Sequence, residues 1–403
     1  MALRLYNRLT DRIEPFTPAG PRVALYVCGV TPYDVTHLGH AFTYVAFDVL
    51  VRWLEHRGHP VTYVQNVTDV DDDILARARQ TGLRWDVLAH REFEHFRADL
   101  EALNVRRPDH WPWASQAVPQ IVALCEQLTA AGYTYRRDHN LYFRVRSVPD
   151  YGRLSRLDRA TMIALARERG GYPDDPRKED PLDFVLWQAS LPDEPAWASP
   201  WGLGRPGWHI ECVAMILAHL GYQADLVGGG SDLIFPHHEN QLTLGEALTG
   251  RRPFARFWVH TGMVCLGGTK MAKSLGNLVL ADSVIAQIGG NATRWLLLSH
   301  HYRTDWEYNA ADLASARDRW ERVRAAITAP PGQPNAPAVP YTDLEAVVAA
   351  ALDDDLNTPR ALAALEAWAG RLLAADPAAT YRAPAQAALQ ATVATLGFRP
   401  DLP

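Results

Sequence analysis

No apolar run reaches the roughly 18 residues that a membrane-spanning helix needs anywhere in the 403-residue sequence. The opening stretch, MALRLYNRLTDRIEPF, lacks the apolar segment of a secretory signal. Cysteine is scarce: four residues, at 28, 125, 212 and 265, with no CxxC pair, which argues against a disulfide framework. A soluble chain in the reducing cytoplasm, with no membrane partner, is therefore expected. Basic charge is not in excess either, since 40 Lys and Arg face 46 Asp and Glu for a net charge of −6. That removes a global basic field of the kind that signals a large nucleic-acid footprint, although a local patch could hide in the total. Core-forming residues are plentiful: 48% are hydrophobic and 21% charged, enough for two or three domains.

The most informative stretch is VALYVCGVTPYDVTHLGHAFTYVAFDVLVRWLEHR, residues 23–57. Val23 to Cys28 reads as a buried strand, and after a Gly/Pro turn the stripe Ala41, Tyr44, Val45, Val49 and Trp53 has helical period. A strand, a loop and a helix start form a corner whose free N–H groups and dipole favour phosphate. The loop carries His37-Leu38-Gly39-His40. Taken alone, such a pair is more often surface or capping histidines.

Pro60 to Thr68 supplies a second strand, and a right-handed crossover makes the two strands parallel with their C-terminal ends on one edge, where open α/β sheets bind ligands. The acidic run Asp69, Asp71, Asp72 and Asp73 reads as a helix cap and dipole complement. Residues 96–200 interrupt the core with an amphipathic helix near 120–131, a strand-like Asn140 to Val145, and the polar stretch Glu168-Arg169-Gly170-Gly171-Tyr172-Pro173 through Asp180. The core resumes with GWHIEC (207–212), a helix through Leu220, a strand Ala224–Val227, the turn Gly228-Gly229-Gly230-Ser231-Asp232 and the run Pro236-His237-His238-Glu239-Asn240. Three glycines after a strand allow backbone to lie against a flat ligand. A strand over Phe257–Cys265 leads into the loop GGTKMAKSLGN, and helices follow near 282–288 and 291–302. From 306 the pattern is helical, cut by a Pro-rich linker near 329–340. The expected division is thus 1–95 and 201–305 for the two halves of an α/β core, 96–200 for an inserted domain, and 306–403 for a helical region.

Cys28 at a strand end, Cys212 at a helix start and His237 before a helix are expected at the same sheet edge. Two thiols and an imidazole suit Zn²⁺ with an open fourth position, the pattern of a substrate-binding site. By spacing alone the three also read as buried cysteines and a core histidine. If the substrate is cysteine, an open zinc has a use: it takes the thiolate and rejects a serine hydroxyl, a discrimination that can reach about 10⁴.

HxGH after the first strand and Lys270-Met271-Ala272-Lys273-Ser274 downstream are together the signatures of class I aminoacyl-tRNA synthetases. CGVTPYDVTHLGHA, YVQNVTDVDDDI, KEDPLDFVLW, GRPGWHIEC, GGGSDLIFPHHEN and KMAKSLGNLV resemble, more narrowly, the cysteinyl-tRNA synthetases and the related cysteine ligases of mycothiol biosynthesis, from about Leu5 to Leu365. Four features lean towards the ligases. TPYD…THLGHA resembles the ligases' TPYDATHLGHA, whereas synthetases have PTVYD…HIGNAR. ERGGYP resembles the ligases' ERGGDP, departing at Tyr172. The synthetases' glutamate zinc ligand falls at Gln241, a poor ligand. The tail is short for a tRNA-binding region.

The resemblance implies a class I synthetase-type Rossmann-like parallel sheet with an inserted connective domain and C-terminal helices. It implies one Zn²⁺ on Cys28, Cys212 and His237, with Mg-ATP as co-substrate. It assigns contact with a cysteinyl-adenylate to Thr31, Thr43, Asn66, Val67, Thr68, Trp208, Gly230, Ser231, Asp232 and Val264. Thr68 and Asp232 are candidates for the substrate ammonium, Asp232 for a base, and His238 for support of His237. Trp208 reads equally as core packing. His37 and His40 would hold the α-phosphate, and Lys270 and Lys273 the leaving pyrophosphate, with Ala272 in place of the usual serine. The implied partners are L-cysteine, ATP and glucosaminyl-inositol, or tRNA if the chain is a short cysteinyl-tRNA synthetase; a silent paralogue acting as a binding module is the third reading. A monomer is expected.

Overall fold

A computed structural model describes residues 2–271 and 276–401. The centre is β1 (Val23–Val30), α1 (Leu38–His56) and β2 (Val61–Val67), rejoined after an insertion by α2 (Trp208–Leu220), β3 (Ala224–Gly230), α3 (Glu239–Thr249) and β4 (Ala255–Thr261). The four strands are parallel in the order β4-β3-β1-β2, with Leu25 opposite both Leu226 and Tyr63. Val23, Leu25, Tyr26 and Val27 are fully buried, as expected where helices cover both faces of a parallel sheet. The chain leaves β1 towards β2 and later builds β3 on the other side, so the strand order reverses between β1 and β3. Ligand crevices of open α/β sheets form at such a reversal, beyond the carboxyl ends of the strands.

Three expectations need correction. β1 continues to Val30 rather than ending at Cys28, because Gly29 N donates to Asn66 Oδ1 at 2.8 Å and the register with β2 slips between Val27 and Val30. A side chain at 29 would place Cβ 1.6 Å from the Asn66 carbonyl oxygen, so only glycine lets the strands close here. The glycines of β3 serve mainly packing: a Cβ at Gly228 would come within 2.1 Å of the Phe47 ring of α1, and of the three only Gly230 reaches the cavity described below. The strand foreseen over Phe257–Cys265 breaks in two. β4 stops at Thr261, Gly262 N bonds Tyr302 O at 2.7 Å, and Val264–Leu266 joins a separate three-stranded sheet with Thr269–Lys270 and Trp306–Glu307.

The insertion folds as a four-stranded antiparallel sheet of Thr134–Arg137, Asn140–Phe143, Phe184–Ala189 and Gly204–Pro206. Its last strand runs through Gly207 directly into α2, which ties that sheet to the core. Helices Ala311–Thr328, Leu344–Leu352, Thr358–Ala374 and Ala383–Thr395 share one continuous apolar cluster with α1 and β1. Fully buried Arg294 pins this junction: its guanidinium pairs with buried Asp48 of α1 and donates to Leu396 O at 2.6 Å and Leu103 O at 2.9 Å. Among the described residues no helix is long and apolar enough to cross a membrane.

Candidate active site

A cavity of about 1170 Å³ opens over the strand ends at the β1/β3 reversal. Cys28, Thr31, His37, His40, Thr43, Trp208, Gly230, Asp232, Val264 and Lys270 all reach its wall. His37 caps α1, its Nδ1 accepting from Gly39 N at 3.1 Å, and its ring stacks on His40 with centroids 3.9 Å apart. Both imidazoles therefore stand at a helix start, where unpaired N–H groups and the dipole favour an anion. Thr43 Oγ1 is 2.8 Å from Thr261 Oγ1, which fixes the hydroxyl at the wall. Across the cavity Lys270 Nζ lies 3.6 Å from Asp232 Oδ2, both side chains being part-exposed.

Asn66, Val67 and Thr68 are buried and do not reach the wall. Asn66 Nδ2 donates to Thr68 Oγ1 at 3.0 Å while its Oδ1 holds Gly29 N, so the pair braces the end of β1 from behind. Ser231 opens the single turn Ser231–Leu233 that presents Asp232. Lys273 lies outside the described residues.

Under the floor, one ligand atom each from Cys28, Cys212 and His237 lies within 4.8 Å of the others, and all three residues are buried. Gln241 Nε2 is 2.7 Å from His237 Nε2 and 3.2 Å from Cys28 Sγ, leaving its buried Oε1 without a partner. His209 Nδ1 is 3.0 Å from His237 Nδ1, and Trp208 stacks on the His237 ring at 3.9 Å. With His237 donating from Nδ1 to His209, its Nε2 lone pair faces Cys212 at 3.4 Å, the tautomer a metal needs. Burial, then the neighbouring His209 and His238, hold the His237 imidazolium well below its ordinary range, so the ring is neutral. Burial and adjacent Cys28 push the Cys212 thiol up. His238 bonds Cys28 Sγ at 3.2 Å and His260 at 2.8 Å, which makes it a support for the cluster. Two thiols and a neutral imidazole converging beside a cavity form a donor set that fits a thiophilic divalent ion.

The family model for the tRNA synthetases class I (C) catalytic domain matches residues 16–318. The L-cysteine:1D-myo-inositol 2-amino-2-deoxy-alpha-D-glucopyranoside ligase of Thermomonospora curvata is 48% identical over 388 residues, covering 96% of this chain and 92% of that protein. The enzyme of the same name from Acidothermus cellulolyticus is 50% identical over 346 residues, 86% and 84% of the two chains. The chain belongs to this ligase family. The family shares its fold with class I synthetases: Mycobacterium tuberculosis methionyl-tRNA synthetase bound by methionyl-adenylate superposes with a TM-score of 0.61 at 17% identity, over 87% of this chain and 82% of that one. Leucyl-tRNA synthetase of Agrobacterium radiobacter, in a ternary complex, gives 0.63 at 13% identity, over 96% and 85%.

In this member of the ligase family three residues join the site that sequence reasoning did not single out. His209 is one; it precedes Cys212 by three positions on one helix, a same-face spacing that could have flagged it. Lys178 lines the cavity, with burial lowering its ammonium to about 8. The third is Asp71, read from sequence as a cap. It occupies the cap position of helix Asp72–Thr81, but its side chain makes no capping bond.

Proposed function

We propose that the chain activates L-cysteine with Mg-ATP as cysteinyl-adenylate and joins it to the 2-amino group of glucosaminyl-inositol, as a monomer in the cytoplasm. The carrying observation is that the Cys28, Cys212 and His237 cluster reaches, through Cys28, the cavity that His37, His40 and Lys270 also line. The size of the cavity, about 1170 Å³, supports room for more than one small ligand, since typical pockets span roughly 300–1,000 Å³.

Cys28, Cys212 and His237 would hold Zn²⁺, which when bound supplies a thiophilic charge for the substrate's sulfur and discriminates against serine. Trp208, stacked on His237, walls the side-chain pocket. Asp232 meets the substrate ammonium, exchanging its present partner Lys270 for it. In the first step a cysteine carboxylate oxygen attacks the α-phosphorus in line as the bond to pyrophosphate breaks. His37 and His40 donate to the α-phosphate oxygens, aided by the start of α1, and stabilise the charge that builds there. Lys270, joined by Lys273, neutralises the departing pyrophosphate. Thr31, Thr43, Gly230 and Val264 hold the adenylate at the wall, and Asn66, Val67, Thr68 and Ser231 shape that wall from behind. In the second step the amine attacks the adenylate carbonyl and AMP leaves.

The test is exchange of labelled pyrophosphate into ATP by the zinc-loaded chain. Cysteine should support it, with serine lower by at least about 10³. No cysteine-dependent exchange would leave the chain a binding module and end this reading.

A further inference from the structure

The acid run beside the cavity is not used up by capping. Asp72 pairs with Arg205, whose Nε also donates to Glu194 at 3.1 Å. Asp73 lies near Tyr33, whose hydroxyl proton it helps to hold. Asp71 is different: it lines the cavity, makes no cap bond, and among the described residues has no Lys, Arg or His within ion-pair reach. Its Oδ2 lies 3.4 Å from Thr31 Oγ1, so it stands beside the end of β1, where the adenylate is held. Beyond it the wall carries the amides of Asn140 and Gln188 and the ring of Tyr142. The cations of this wall are engaged elsewhere, Arg205 by Asp72 and Arg177 by Asp175, so Asp71 is a carboxylate whose charge no ion pair takes up, in a wall that also offers amides and a phenol, and that chemistry suits a polyhydroxylated amine.

We infer that Asp71 receives the amine of the amino-sugar acceptor and takes the proton that nitrogen sheds on attack. The neutral amine adds to the adenylate carbonyl carbon. The C–N bond forms as the C–O bond to phosphate breaks, AMP leaves with the bonding pair, and the proton passes to the Asp71 carboxylate. Burial, with Asp73 and Asp72 next in weight, raises the Asp71 carboxyl to about 6, close to the range where a base works at neutral pH. The assignment rests on the ligation reading above and adds the residue that serves its second step.

Two measurements on the full zinc-loaded chain test it: cysteine-dependent pyrophosphate exchange without acceptor, and single-turnover transfer from preformed cysteinyl-adenylate to glucosaminyl-inositol. Asp71→Asn should lower transfer about 100-fold more than exchange, and Asp71→Glu should recover part of the loss. Transfer within about threefold of the parent, or equal loss of both activities, overturns the assignment. A parent chain that transfers to the amino sugar while Asp71→Asn does so equally well sinks this inference alone. A parent without cysteine-dependent exchange sinks the ligation reading and this inference with it.

Discussion

Replacing His209 by Phe isolates one hydrogen bond of the thiol–imidazole cluster. Phe keeps a ring of similar size and can retain the edge-on contact with Phe184, whose centroid is 5.3 Å away at 89°. What disappears is the acceptor 3.0 Å from His237 Nδ1. A buried N–H left without a partner costs about 1–3 kcal/mol, so the metal-free protein favours the other tautomer, its Nε2–H bonded by Gln241 once that amide turns its unpartnered Oε1 towards the ring. That tautomer has no lone pair for a metal, and binding must first reverse it. Loss of such an outer partner typically costs 10–100-fold in affinity, about 1.4–2.8 kcal/mol. Competition against a chromophoric zinc chelator measures it directly. Zinc affinity within about twofold of the parent would refute the claim that His209 sets the His237 tautomer.

Three further perturbations probe the frame around the site. Arg294→Met leaves buried Asp48 with Arg52 as its one cation, beside the Arg106 N–H, and strips two backbone carbonyls of their donor, which should cost about 3–5 kcal/mol and lower the melting temperature; an unchanged midpoint would show the junction is not held there. Gly29→Ala must part β1 from β2 at the residue after Cys28, so chemical denaturation should show a loss above about 1–3 kcal/mol together with weaker zinc binding, and a parent-like variant would contradict the close contact. Lys178 has a folded-state value of about 8 against an ordinary 10.5, so the unfolded chain binds more protons between those values and the parent gains stability as pH rises through that window. Lys178→Met should therefore out-melt the parent most at pH 8 and below, with the advantage shrinking towards pH 10.5; a pH-independent difference would remove the burial penalty from the account.

The parts of the fold that were legible are those written in local pattern. The apolar run at Val23, the helical stripe from Ala41 to Trp53 and the second strand at Val61 form the parallel unit they suggest. Boundaries set by distant partners were not legible: β1 runs on past Cys28 because Asn66 of β2 holds Gly29, and β4 stops at Thr261 because Gly262 turns to Tyr302. The ligand atoms of Cys28, Cys212 and His237 do meet, although no spacing rule joins positions so far apart in the chain. His209 and Asp71 were missed for a related reason. Each has an ordinary local explanation, beside a tryptophan or at a helix start, and only the tertiary arrangement turns one towards His237 and the other towards the cavity.

The central claim is that cysteine, once activated, goes to a sugar amine. The most direct measurement is a mass-spectrometric endpoint assay of the zinc-loaded chain with Mg-ATP and cysteine, offered glucosaminyl-inositol in one reaction and cognate tRNA in another. A cysteinyl amide of the sugar with uncharged tRNA is the expected result. Charged tRNA with untouched sugar would contradict the account and make the chain a cysteinyl-tRNA synthetase.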